Sequence, residues 1–301
     1  MNGIIERIIE AKRRRGILVL AHNYTDFAVQ QAADIVGDSL ALALEARRSD
    51  AERVVVCGVR FMAETVKMLL PEAEVLHPVP ESGCPMAEMA DASAVRRLRA
   101  EHPDASAVCY VNSSAAVKAE VDICCTSGNV EKVIASIPEE RPVIFLPDAN
   151  LGGNISRRTG RRFILWPGCG PVHDSLRPED ILKAREEHPG WPVLVHPECR
   201  PEVVALCDEA LSTAGILKRA REIDAPGFII ATERGLLPRL QSENPGKGFA
   251  VPGDCLCCRD MKLFTPENLL ECIETGRYPV ELPSEIMEKA RRPIERMLAL
   301  R

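Results

Sequence analysis

One phrase recurs about every 87 residues along this chain, and its three copies end on Cys84, Cys169 and Cys258. Each copy opens with a short aliphatic strand that closes on a polar ring: Leu18-Val-Leu-Ala-His22, Ala107-Val-Cys-Tyr110 and Val193-Leu-Val-His196. A second strand follows at Val54-Val-Val-Cys57, Val143-Ile-Phe-Leu146 and Phe228-Ile-Ile-Ala231. A third reads Val75-Leu-His-Pro78, Phe163-Ile-Leu-Trp-Pro167 and Phe249-Ala-Val-Pro252. Between the first two strands sits Asp34, Asp122 or Asp208, and five residues after each stands a hydroxyl, at Ser39, Ser127 and Thr213. So many features in register mean three homologous units.

The repeat changes what length implies. A chain of 301 residues suggests about two domains, but units this small bury too little surface for independent cores. They are expected to pack on one another and share a central interface. Strands alternating with helical patterns predict parallel α/β layers, with helices over 29–47, 63–70, 87–100, 129–137, 178–187, 201–209 and 236–241. The expected organisation is lobe 1 over 1–84, lobe 2 over 85–170, lobe 3 over 171–258, and a helical tail over 259–301 that caps a lobe. In the tail, Thr265-Pro-Glu reads as a helix start, Gly276 as its end, and Ser284 as the start of a last helix kinked near Pro293.

The formal net charge is -6 and no long run of Lys or Arg offers a nucleic-acid footprint. No apolar stretch approaches the roughly 20 residues of a membrane span, and the amphipathic start is not a signal peptide. A cytoplasmic protein is expected. Its twelve cysteines, in a large chain with no export signal, read as reduced thiols, several of them metal ligands.

Cys84, Cys169 and Cys258 all follow a third-strand end and neighbour Gly or Pro. Sites in parallel α/β units form at the carboxyl ends of strands, so three such thiols converging on one centre suit an iron-sulfur cluster, with zinc as the other thiolate-loving option. Three ligands would leave one metal position open for substrate. Cys57, Cys109, Cys199, Cys207 and Cys272 lie on or beside apolar faces and read as small buried hydrophobes. Cys255 and Cys258 form a C-x-x-C pair, a weaker thiol-switch signal, and the adjacent Cys124 and Cys125 lack the second pair that a zinc knuckle needs.

The first strands end in His22-Asn-Tyr24, Tyr110-Val-Asn112 and His196-Pro-Glu198, a ring donor followed two residues on by another polar group. On an extended chain both point to one side. With the three matched hydroxyls they supply acids, bases and anion donors around one centre. The loop Asp148-Ala-Asn-Leu-Gly-Gly153 matches neither the P-loop nor the dinucleotide fingerprint and reads as a turn.

Several motifs in order carry a family resemblance over nearly the whole chain: Ala21-His-Asn-Tyr24, Gly37-Asp-Ser-Leu40, Phe61-Met-Ala-Glu64, Gly83-Cys-Pro-Met86, Tyr110-Val-Asn112, Cys125-Thr-Ser127, Pro147-Asp-Ala-Asn-Leu-Gly152, His196-Pro-Glu-Cys199, Ser212-Thr213, Thr232-Glu and Cys258-Arg-Asp-Met-Lys262. The chain resembles the quinolinate synthase family. The resemblance implies an α/β fold of three pseudo-threefold-related, Rossmann-like, three-layer αβα lobes with short parallel sheets around a central active site. It also implies a 4Fe-4S cluster on Cys84, Cys169 and Cys258, whose open iron acts as a Lewis acid in a transferase of NAD biosynthesis. That enzyme condenses iminoaspartate with dihydroxyacetone phosphate to quinolinate, phosphate and water, and an L-aspartate oxidase or aspartate dehydrogenase supplies the imine. Glu198, His22, Tyr24, Tyr110 and His196 are the acid-base candidates. Ser39, Asn112, Ser127, Ser212 and Thr213, together with His22, Tyr110, His196 and Glu198, are the substrate-binding candidates.

The family pattern Trp-x-Gly-x-Cys-x-x-His places its cysteine where this chain has Gly170. Trp166 and His173 hold their places, and Cys169, one residue early, is the ligand this reading assigns. Another iron-sulfur hydro-lyase and a non-catalytic zinc or thiol-switch binding protein stay open as alternatives.

Overall fold

A computed structural model describes residues 2 to 300 and contains three four-stranded sheets, parallel throughout. The first is β1 (Leu18–His22), β2 (Ile35–Gly37), β3 (Arg53–Cys57) and β4 (Glu74–Leu76), in the order β2-β1-β3-β4. The second is β5 (Ser106–Tyr110), β6 (Ile123–Cys125), β7 (Val143–Leu146) and β8 (Phe163–Leu165), in the order β6-β5-β7-β8. The third is β9 (Val193–Val195), β10 (Glu209–Ala210), β11 (Gly227–Ala231) and β12 (Gly248–Ala250), in the order β10-β9-β11-β12. Helices flank each sheet, so the architecture is three αβα lobes of one topology. In such an order the chain reverses direction beside the first strand, and the crevice at that strand's carboxyl end is where ligands bind.

The repeated aspartates explain why the lobes share a register. Asp34, Asp122 and Asp208 each accept a first-strand backbone N–H, from Val19 at 2.8 Å, Ala107 at 2.8 Å and Val193 at 2.7 Å. Each returns its own N–H to the carbonyl of the same residue, at 2.9, 3.0 and 3.0 Å. Lys12, Arg99 and Arg185 then pair with the three carboxylates. This two-way clamp fixes the entry of the second strand. The aspartates are structural.

That clamp also corrects two expectations. The helix expected over 29–47 is interrupted: Phe27–Ala32 ends, β2 pairs with β1, and Asp38 accepts from the N–H of Ala41 at 2.9 Å to cap a new helix, Ser39–Arg48. The helix expected over 201–209 stops at Val204, and Glu209–Ala210 forms the edge strand β10. Each lobe therefore has a fourth strand, too short for a periodic signal. The sequence 148–153 is no turn either: Asp148 caps the helix Ala149–Thr159. Gly152 is required there by packing, since a Cβ would lie 2.6 Å from the Phe145 and Leu165 side chains.

The tail starts as expected, with Thr265 capping the helix Pro266–Thr275 and Gly276 ending it at φ 68°. This helix packs on the N-terminal helix Asn2–Arg15. The last helix, Ser284–Ala299, contains Pro293 and packs on β6 and on the helices Ala115–Lys118 and Arg60–Leu69. Ala290, Ile294, Met297 and Leu298 thereby join one apolar core with residues of the first two sheets, whereas the third sheet buries its faces in two cores of its own. Among the described residues no helix is long and apolar enough to cross a membrane.

Candidate active site

A cavity of about 370 Å³ opens where the carboxyl ends of β1, β5 and the strand beginning at Val193 come together. The first lobe lends it His22, Tyr24 and Ser39, the second Tyr110, Asn112 and Ser127, and the third His196, Glu198 and Thr213. Ser39 and Thr213 are the first residues of the helices Ser39–Arg48 and Thr213–Glu222, where unpaired N–H groups favour an anion. Ser212 is not on the wall; it caps the latter helix by accepting from the N–H of Gly215 at 3.2 Å.

The hydrogen bonds fix the tautomers. Two residues past each histidine, the chain turns a backbone N–H onto its Nδ1, from Tyr24 to His22 at 3.2 Å and from Glu198 to His196 at 3.4 Å. Both Nδ1 atoms are acceptors, so each neutral ring carries its proton on Nε2. His196 Nε2 donates to Ser127 at 3.1 Å. Burial, aided by Lys262 and His196, pushes His22 down to about 3, and burial pushes His196 down to about 3 against the opposing pull of Glu198. Both are neutral donors at neutral pH.

A second chain of bonds runs between the tyrosines. Burial works to raise the Glu198 carboxyl, but the neighbouring imidazoles and hydrogen bonds from His173 and Tyr110 outweigh it and hold the group below the ordinary range. An ionised Glu198 only accepts, so Tyr110 O–H donates to one oxygen and His173 Nδ1–H donates to the other at 2.9 Å. His173 Nε2 is then the acceptor from Thr232 O–H at 2.9 Å, and Thr232 accepts from Tyr24 O–H at 2.7 Å. Burial first, and the Glu198 charge second, raise Tyr110 well above its usual value, and burial likewise raises Tyr24. Both phenols keep their protons. His173, His196 and Glu198 are the compact metal-capable trio among the described residues. Both ring nitrogens of His173 are already hydrogen-bonded, so this ring links Glu198 to Thr232 and has no free nitrogen for a metal.

His173 and Thr232 belong to this hydrogen-bond chain without having been revealed by the repeat, because neither has a counterpart at the matched positions of the other lobes. Their signal lay only in the motifs around Trp166 and Thr232. Asp38 and Glu233 also line the cavity; Glu233 is fully buried, pairs with Lys262 at 3.0 Å, and accepts from the Cys258 N–H at 3.1 Å.

Cys84 and Cys258 face the cavity. Burial pushes their thiols up to about 12 and about 11. Backbone N–H groups of Ala87 and Met86 pull against this at Cys84, as do those of Met261 and Asp260 at Cys258. Sulfurs held by backbone donors are what a cluster ligand needs. Cys255 and Cys257 are on the wall too. Cys169 is not: Gly170 lines the cavity in its place, and a Cβ there would point 2.9 Å from Glu198 Oε2. Neither Gly168 nor Gly170 has a positive φ, so the flanking glycines do not redirect Cys169 inward. None of the twelve cysteines is paired.

Three repeated lobes that pool proton donors, helix N-termini and thiols in one cavity define an α/β enzyme with a shared central reaction centre. The comparisons make this specific. The family described as "Quinolinate synthetase A protein" matches residues 6–299. The chain is 46% identical over 295 residues to the quinolinate synthase of Dehalococcoides mccartyi strain CBDB1, covering 98% of this chain and 97% of that one. The quinolinate synthase of Methanoregula boonei is also 46% identical, with 98% and 97% covered, and "Quinolinate synthase 2" of Methanosarcina acetivorans is 44% identical, with 99% and 96% covered. The chain belongs to the quinolinate synthase family.

Proposed function

We propose that this enzyme condenses iminoaspartate with dihydroxyacetone phosphate to give quinolinate, phosphate and water, as a step in making the pyridine ring of NAD. The observation that carries the reading is the single cavity in which neutral imidazole donors, an ionised carboxylate relay and thiols from different lobes converge. The imine is the oxidation product of aspartate, so an aspartate-oxidising enzyme, an L-aspartate oxidase or an aspartate dehydrogenase, would supply it. Twelve unpaired cysteines fit a reducing cytoplasm.

A 4Fe-4S cluster fits the donor set: Cys84 and Cys258 would hold it with a third thiolate, their sulfurs already facing backbone N–H groups. When bound, such a cluster with one open iron supplies Lewis-acid polarisation. The chain's own groups do the rest. Ser39 and Thr213, at their helix N-termini, receive carboxylate or phosphate oxygens. His22 and His196 donate from Nε2 without adding charge. Asn112 Oδ1 is buried with no partner and is available to accept from a substrate N–H or O–H.

Condensation, isomerisation and ring closure all move protons, and Glu198 is the group placed to take one. The bonds are oriented toward Glu198, so a proton entering at Tyr24 on the far wall passes by way of Thr232 and His173 to Oε2. Tyr110, held as a phenol, returns a proton from the opposite side. The test is turnover: anaerobically purified enzyme given both substrates should form quinolinate and release phosphate in equal amounts. Dehydration of an unrelated hydroxy acid, with no phosphate released from dihydroxyacetone phosphate, would favour the hydro-lyase reading.

A further inference from the structure

We propose that the third protein ligand of the cluster in this chain is Cys255, acting with Cys258 as a C-x-x-C pair, while Cys169 stays outside the site. This rests on the cluster reading above. The second lobe has no thiol where the cavity would receive one, because that position is Gly170. Cys169 sits one residue earlier, and one residue along an extended stretch turns a side chain to the opposite side.

The backbone around Cys169 is fixed on both sides. Ala149 N–H donates to Gly168 O at 2.7 Å, and Gly170 N–H donates to Asp148 Oδ2 at 2.9 Å. Cys169's own N–H points at Met89 Sδ, 3.4 Å away. Trp166 Nε1 holds the same methionine through its carbonyl at 2.9 Å. Turning the loop over would break these contacts. The Cys169 thiol instead lies near Asp174 and Arg200.

The third-lobe loop has what the second lacks. Leu256 is fully buried, its carbonyl accepts from the Arg234 N–H at 3.0 Å, and the Cys258 N–H is bound to Glu233. Around this anchor the Cys257 N–H bonds back to Cys255 O at 2.8 Å, a tight reversal that returns Cys255 toward the chain leading to Cys258. Cys257 also lines the cavity and is less exposed than Cys255. C-x-x-C spacing is one that iron-sulfur ligand sets use. Cys255 is the exposed member of the trio, with the freest side chain to bring in.

The experiment uses native enzyme, purified without oxygen, with iron and sulfide measured first. The loaded protein and its chelated apo form are treated with iodoacetamide, and each cysteine's alkylation rate is read by peptide mass spectrometry. A thiolate committed to iron no longer attacks, so Cys255 should label at least about tenfold more slowly in the loaded form, with Cys169 labelled equally in both. Cys255→Ser should lose its iron with an unchanged circular dichroism spectrum, whereas Cys169→Ser should keep it. Protection of Cys169, or equal labelling of Cys255 in both forms, overturns the ligand assignment while leaving the proposed function standing. Native protein without iron and sulfide overturns both.

Discussion

The second lobe differs from the other two at the points where all three should match. In the first and third lobes the strand that leads to the cavity ends in histidine, and the cysteine of the closing loop faces the same space. Those two loops are also tied together: Asp260 accepts from the Gly83 N–H through Oδ1 at 3.1 Å and from the Ser82 hydroxyl through its carbonyl at 3.0 Å. In the second lobe the ring is Tyr110, and the loop of Cys169 is tied to Asp148 and Met89 with its thiol off the cavity wall. A repeat preserves the placement of elements more strictly than the direction of a side chain. A shift of a single residue is enough to exchange an inward cysteine for an inward glycine.

The largest effect expected from this contrast is on iron. Cys84→Ser and Cys258→Ser should each abolish cluster retention, whereas Cys169→Ser should leave the iron content of anaerobically purified protein unchanged. Loss of iron from Cys169→Ser would erase the difference between the lobes.

Glu198 occupies the place that Tyr24 and Asn112 hold in the other lobes, and it alone of these carries a negative charge. Glu198→Gln should lower turnover about 10²- to 10⁴-fold with iron unaltered. A decline of no more than about twofold, well short of what a positioned acid-base group contributes, would remove it from the proton path.

Acid should separate the lobes by a smaller amount. His22 and His196 have folded values of about 3, below the ordinary value of about 6.5 for an exposed histidine. The unfolded chain therefore binds the extra protons, and stability is lost as pH falls from about 6.5 toward about 3. Between pH 7 and pH 5 each histidine should cost about 2 kcal/mol, read from denaturant unfolding at each pH. His22→Asn and His196→Asn should flatten that dependence. Tyr110→Phe should not, since its phenol stays protonated throughout.

The smallest contrast is between two glycines. Gly168→Ala brings a Cβ to 2.5 Å from Pro147 O and should destabilise by about 1–3 kcal/mol. Gly83→Ala meets first the flexible end of Glu88 at 3.1 Å and should lie within about 0.5 kcal/mol of the parent. Equal effects in chemical denaturation would mean that the second-lobe loop is no more tightly held than the first.

Much of this was legible in residues because the repeat multiplies weak signals. The run Val54-Val-Val-Cys57 alone does not distinguish strand from buried helix, but its recurrence beside Val143 and Phe228 does. The edge strands escaped because Ile35–Gly37 and Glu209–Ala210 are too short to show a period and owe their pairing to the aspartate clamp. His22, Tyr24, Tyr110, His196 and Glu198 were readable as matched strand ends. His173 and Thr232 showed only through the family motifs, since they join the hydrogen-bond chain from the short helix Pro171–Asp174 and from just past β11, without repeat counterparts. The direction of Cys169 depended on hydrogen bonds to Met89 and Asp148, partners distant in sequence.

The proposed activity turns on an iron-sulfur cluster in this shared cavity. Iron and acid-labile sulfide analysis of the anaerobically purified chain tests it most directly: about four of each per chain is the expected result, and zinc without sulfide would contradict it.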